Sequence, residues 1–136
     1  MYSSETKVRV RYAETDQMRY VYYGNYAIYF EVGRTEALRK LGMSYRKLED
    51  DGIMLPVYEY NAKFLNPVFY DDELTIKTFI KELPGVRIKF YYEVVNEKND
   101  LVCLAETTLV FVNKQNNRPC PAPKELLDVL GKYIAH

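Results

Sequence analysis

Histidine is almost missing from this chain of 136 residues: the single one is His136, at the last position. Its absence elsewhere excludes a Ser/His/Asp triad, a Cys/His dyad and metal sites built on imidazole, all of which need a histidine among other functional groups. Cysteine is nearly as scarce. Cys103 and Cys120 lie far apart with no CxxC spacing, which reads as two reduced structural thiols rather than a redox pair. Neither sign of charge is in excess, 19 basic residues against 19 acidic ones, so no global field draws the chain to nucleic acid or to a membrane surface. No apolar run approaches the ~20 residues of a membrane span. The opening Met1-Tyr-Ser-Ser-Glu-Thr has no signal-peptide pattern, and a cytoplasmic location is expected. There is no GxGxxG or Walker pattern. Tryptophan is absent, whereas tyrosine occurs 14 times; a tyrosine-rich core either borders a ligand slot or simply packs with its hydroxyls satisfied.

What is present is an ordered alternation of patterns over one domain, residues 1–136. Residues 7–12 alternate, with Val8, Val10 and Tyr12 on one side, as a half-buried strand does. A polar and aromatic loop follows, from Ala13 to Tyr23. From Asn25, a candidate N-cap, a helix is predicted to about Leu41, stopped by Gly42. Its first half is apolar nearly all round, as in a helix enclosed by other elements. Its second half places Ala37, Leu38 and Leu41 inside, with Glu36 facing Arg39 and Lys40 on the wet side. Ser44 is positioned to cap a short second helix ending near Asp51-Gly52.

Beyond Ile53 the period becomes two. Tyr58, Tyr60, Ala62 and Phe64 form one face of a strand that Pro56 marks as irregular or peripheral. Leu74, Ile76, Thr78 and Ile80 form the inward face of the next, and Val86, Ile88, Phe90, Tyr92 and Val94 that of a third. Residues 101–112 are apolar on both faces, which predicts a central or interfacial strand. Pro119, Pro121 and Pro123 end the sheet, and Lys124–Tyr133 can form a terminal helix. The predicted fold is α+β, a five-stranded antiparallel sheet wrapped round one long helix. Outward apolar residues such as Tyr91 and Val95 suggest that the protomer is not alone.

The chemistry concentrates in Arg11-Tyr-Ala-Glu-Thr-Asp16 and the following Tyr23-Gly24-Asn25-Tyr26. A carboxylate beside the amino end of a buried helix can act on a polarised carbonyl, because the helix end supplies free N–H groups and positive potential while the acid supplies a base or nucleophile. Tyr12-Ala-Glu-Thr15-Asp16, Val21-Tyr22-Tyr23-Gly24-Asn25-Tyr26, Phe30-Glu31, Arg34, Pro67 and Asp71-Asp72-Glu-Leu74 together resemble the hot-dog-fold acyl-CoA thioesterases, specifically the 4-hydroxybenzoyl-CoA thioesterase and YbgC-like branch. The likeness extends over roughly residues 5–123. It implies a sheet wrapped round a central helix, and dimers that pair into tetramers with active sites at the dimer interface. It further implies Asp16 as nucleophile or general base, and the Tyr23 backbone N–H as the group that holds the oxyanion. YbgC-like members often carry His where Tyr23 stands, a change that leaves a backbone role intact.

A related branch places its acid near Glu31, the competitor of Asp16, whose plainer reading is a solvated or Arg34-paired surface residue. Glu14 is expected at the surface. Lys63, Arg87 and Lys89 are the candidates for the coenzyme A tail, each equally readable as a solubilising charge. Asp71-Asp72 reads as a turn, so no metal is expected, nor any cofactor beyond the coenzyme A carried by the substrate. The expected partner is an acyl-CoA, with an acyl carrier protein as the other carrier. The rival function is a hot-dog module that binds acyl-CoA or acyl carrier protein without turnover; a dehydratase is less favoured because no suitable histidine exists.

Overall fold

The computed structural model describes residues 1–134; His136 lies outside them. In chain order the elements are β1 (Tyr2–Arg9), α1 (Tyr26–Lys40), α2 (Tyr45–Asp50), β2 (Ile53–Met54), β3 (Val57–Phe64), β4 (Glu73–Ile80), β5 (Arg87–Val95), β6 (Leu101–Val110), β7 (Val112–Asn113), β8 (Arg118–Pro119) and α3 (Lys124–Leu130). The main sheet is antiparallel throughout, in the order β1-β4-β5-β6-β3. Leu74, Ile76, Thr78 and Ile80 of β4 and Ile88, Phe90, Tyr92 and Val94 of β5 are buried, as their alternation predicts, and α1 packs on this inner face.

Gly33 sets how close that packing can be. A Cβ at this position would sit 2.7 Å from Thr78 Oγ1 and 2.8 Å from Ile76 Cγ2, so the helix backbone rests directly on β4. Glycine inside a helix costs about 1 kcal/mol relative to alanine, and here close approach is what it permits. The helix ends as expected, with Gly42 at φ +80°, a conformation that favours glycine. Lys47 N–H donates to Ser44 Oγ at 3.1 Å, capping α2. Glu36 pairs with Arg39 at 3.0 Å. Lys40 instead crosses to β1, where its Nζ donates to Ser4 Oγ and to the Glu5 carbonyl.

Several expectations are corrected. The first strand is not 7–12 but begins at Tyr2, whose hydroxyl donates to the Ala37 carbonyl at 2.7 Å, and it ends at Arg9. Tyr12 enters a 3₁₀ turn and is 76% exposed. A bulge between Val57 and Glu59 breaks the alternation of β3, leaving Tyr58 beneath the Arg87 guanidinium, 4.4 Å from its ring centre. Val86 precedes β5 and is exposed. Val95 is buried, because the register with β6 shifts between Val94 and Val95. The long strand 101–112 is interrupted at Phe111, and β7 joins β2 and β8 in a second, three-stranded sheet. Phe111 itself is buried, its N–H donating to the Val86 carbonyl and its carbonyl accepting from Cys120 N–H. Pro119 therefore belongs to that small sheet. Among the described residues no helix is long and apolar enough to cross a membrane.

Candidate active site

The loop between β1 and α1 is held by an acid that the sequence reading placed at the surface. Glu14 is only 5% exposed. Its Oε1 accepts from Arg11 N–H at 2.9 Å and from the Tyr29 hydroxyl at 2.7 Å, and its Oε2 accepts from Arg11 Nε at 2.9 Å. Its carbonyl accepts from Tyr22 N–H and from Asn25 Nδ2. Asn25 thus serves as a strut to the loop instead of capping the helix with its side chain. Burial alone would raise the Glu14 pKa, but the hydrogen bonds from Arg11 and Tyr29 outweigh it and hold the carboxyl below its ordinary value. In return, burial and the neighbouring carboxylate raise the Tyr29 phenol. One residue therefore pins three points: the end of β1, the start of α1 and the loop between them.

Beyond this anchor the chain makes a tight hairpin. Thr15 bridges to Val21, Asp16 N–H donates to the Tyr20 carbonyl, and Arg19 takes φ +68° at the tip. Asp16 is exposed; its Oδ1 accepts from Met18 N–H at 2.9 Å, while Oδ2 makes no hydrogen bond among the described residues. Tyr23 opens the 3₁₀ turn that runs directly into α1. As the first residue of that turn its N–H has no intrahelical acceptor, and among the described residues it has none at all. Gly24 leaves room for the Tyr22 ring, which a Cβ there would approach to 2.7 Å and push aside.

Asp16 and Tyr23 line one cleft of ≈ 440 Å³, together with Tyr20, Tyr26, Phe64 and Pro67. Tyr26 and Phe64 meet edge to face at 5.0 Å, giving the cleft an aromatic wall. Burial raises the Tyr26 pKa, so this phenol stays neutral. One cleft is thus bordered by an acid with a free oxygen and by a residue whose helix-end N–H is free, groups of the kind that suit attack on a carbonyl whose oxygen gathers charge. Asp71 and Asp72 form a turn, Asp71 at φ +70° and Asp72 accepting from Phe69 N–H at 2.9 Å. Burial pushes the Cys103 thiol up to about 12, and both cysteines are free.

Other candidates lie elsewhere. Lys63, Arg87 and Lys89 sit on the sheet face opposite α1, where Lys63 borders a groove with Lys81 and Glu106, and Lys89 pairs with Glu106 at 3.3 Å. Lys63 is the neighbour of Phe64, but none of the three lines the cleft of Asp16. Glu31 is exposed and forms no ion pair with Arg34 among the described residues.

Residues 10–130 match the model of the thioesterase-like superfamily. The chain belongs to the thioesterase-like superfamily. It is 32% identical over 120 residues to the acyl-CoA thioester hydrolase YbgC of Escherichia coli, covering 88% of this chain and 90% of that one. It superposes on a DHNA-CoA thioesterase from Staphylococcus aureus with a TM-score of 0.86 at 34% identity, over 98% of this chain and 84% of the other. A mutant 4-hydroxybenzoyl-CoA thioesterase, complexed with 4-hydroxybenzoyl-CoA, aligns with a TM-score of 0.85 at 25% identity, over 95% and 99% of the two chains. Membership in the thioesterase-like superfamily agrees with the hot-dog fold and the thioester-hydrolase class that the loop and helix motifs imply.

Proposed function

We propose that the protein hydrolyses acyl-CoA thioesters to the free acid and coenzyme A, with Asp16 and the Tyr23 N–H as the reacting pair. The observation that carries this is their convergence on one aromatic-walled cleft at the amino end of α1. The thioester carbonyl oxygen accepts from Tyr23 N–H. Asp16 then either attacks the carbonyl carbon, giving a mixed anhydride that water cleaves, or takes a proton from the attacking water. Thiolate leaves readily, so the scheme asks for no general acid and no histidine. No cofactor enters it; an acyl carrier protein would present the same thioester.

The assembly is part of this reading. β3 is paired only with β6 among the described residues, and its other edge carries the exposed Val57, Tyr60 and Phe64. An open apolar edge invites a second strand, and a second copy there would place its own edge beside the cleft that Phe64 lines. Light scattering on a sizing column measures whether the species is a dimer or a dimer of dimers.

Thiol release from short, medium, long and aromatic acyl-CoAs tests the chemistry. Asp16→Asn should lower kcat about a thousandfold, within the range for a lost catalytic acid–base group, with an unchanged circular dichroism spectrum. Turnover that survives in Asp16→Asn and falls in Glu31→Gln moves the role to Glu31. Tight binding of an acyl-CoA with no release from any of them overturns the enzyme reading in favour of a binding module.

A further inference from the structure

We propose that Arg19 is a specificity-determining residue of the Asp16 cleft, its guanidinium binding the phosphate end of a pantetheine-linked substrate. The kinetic side of this rests on the thioesterase reading; the binding of coenzyme A itself does not.

Gln17, Met18 and Arg19 form the loop of the hairpin that carries Asp16. Arg19 N–H donates to the Asp16 carbonyl at 2.9 Å, and Asp16 N–H donates to the Tyr20 carbonyl at 2.9 Å. A tight turn followed by one residue in the left-handed conformation is the bulged form of such a loop, and glycine fills that place without strain. Here Arg19 fills it, at φ +68°. The other non-glycine residues with positive φ among the described residues are Asp71, Asn99 and Asn117, types whose short polar side chains tolerate it. Arginine has no such compensation. The turn does not need its side chain either, because the two backbone bonds and the bond from Met18 N–H to Asp16 Oδ1 at 2.9 Å hold it. Arg19 is exposed and forms no ion pair among the described residues. A strained backbone under a side chain that supports nothing in the fold points to a use outside the fold.

Charge indicates which use. The cleft is lined by Asp16, Asn66 and apolar or aromatic residues, without a single Lys or Arg. The coenzyme A tail carries a diphosphate and a further phosphate, and nothing in the cleft neutralises them. Lys63, Arg87 and Lys89 do not border it. Arg19 stands at its rim: its N–H is bonded to Asp16, and its neighbour Tyr20 lines the cleft. The two ends of such a turn lie within about 7 Å of each other at their Cα atoms. A long pantetheine arm brings the phosphates out past the rim while the thioester stays at Asp16. The planar guanidinium fork then matches phosphate oxygens in paired bonds. Coenzyme A and the phosphopantetheine arm of a carrier protein share the first of these phosphates.

Three octanoyl thioesters separate the possibilities: octanoyl-CoA, octanoyl-phosphopantetheine with one phosphate, and octanoyl-pantetheine with none. Each is assayed with wild type, Arg19→Gly, Arg19→Asn and Arg19→Lys, and coenzyme A is titrated into the same proteins by calorimetry. In Arg19→Gly and Arg19→Asn, KM for octanoyl-CoA should rise about tenfold, the worth of one charge-assisted pair, with kcat unchanged. KM for octanoyl-pantetheine should not move, Arg19→Lys should keep part of the preference, and high salt should erase it in wild type. Coenzyme A should bind about tenfold more weakly to the first two variants. An equal rise for octanoyl-phosphopantetheine puts the contact at the shared phosphate; a rise confined to octanoyl-CoA puts it at the nucleotide. Unchanged KM and unchanged coenzyme A affinity overturn the proposal, and so does an equal rise for octanoyl-pantetheine. A lowered urea midpoint in Arg19→Gly also overturns it, because the side chain would then be holding the hairpin. A preference that survives in Arg19→Gly and is lost in Lys63→Ala hands the tail to the sheet face and overturns it too. Absence of thiol release from every thioester, with coenzyme A binding still weakened in Arg19→Gly, sinks the thioesterase reading alone.

Discussion

Two carboxylates two positions apart behave as opposites. Around Glu14 the loop is enclosed: both oxygens are occupied, the backbone carbonyl accepts twice, and the acid joins β1 to α1. Around Asp16 the loop is open, with one oxygen committed to Met18 N–H and the side chain exposed on a cleft. A carboxylate saturated by donors is stabilised and inert, whereas one with an open oxygen beside a polarising N–H can react. In the proposed scheme the reacting acid is thus positioned by a buried one two residues before it.

Replacing each acid should separate the two roles. The largest effect belongs to Asp16→Asn, which should cost about a thousandfold in kcat while leaving the urea midpoint within experimental scatter. Equal losses of stability in the two variants would break the comparison. Glu14→Ala should destabilise the fold by about 3 kcal/mol, because it strands the Tyr29 hydroxyl, the Arg11 N–H and a guanidinium bond together; chemical denaturation measures this, and turnover should fall as Tyr23 and Asp16 lose their common anchor.

The pH dependence sharpens the same contrast. Since the folded protein holds the Glu14 pKa below its ordinary 4.5, its contribution is fully present above that ordinary value and is lost as the pH falls through the folded one. Urea midpoints measured from pH 6 to pH 3 should therefore fall more steeply for wild type than for Glu14→Gln, whose side chain does not titrate. The smallest effect is expected from Tyr29→Phe, about 1.5 kcal/mol for one hydrogen bond to a carboxylate that keeps its other donors.

Much of the frame is legible in the sequence because its causes are local. Gly42 and Ser44 mark the end of α1 and the start of α2, and the alternation from Leu74 to Ile80 and from Ile88 to Val94 names the inner face of the sheet. The cleft is half legible: Asp16 and Tyr23 fall together as their spacing implies. Glu14 is not legible, since its burial depends on Tyr29, which reaches it only once α1 folds back over the loop. The burial of Arg34 is hidden for the same reason, its partner Tyr45 standing on another helix. Tyr58 and Val95 are misplaced by bulges, where an extra residue shifts the register without leaving a mark in the hydrophobic pattern. Phe111 fits a continuous strand by composition, and only its bonds to Val86 and Cys120 reveal the break.

The missing side chain at Gly33 also has a mechanical meaning. Because the helix backbone touches β4 there, Gly33 acts as the fulcrum of a lever whose other end is the turn that carries Tyr23. Ten residues separate them, about 15 Å of arm, so a tilt of about 4° at the fulcrum would swing the Tyr23 amide by roughly 1 Å. Displacements of that size are enough to cost a hundredfold in rate. A methyl group added at Gly33, far from the cleft, would thus mis-aim it, and the aim of the N–H depends on a contact where bare helix backbone lies against the Ile76 and Thr78 side chains.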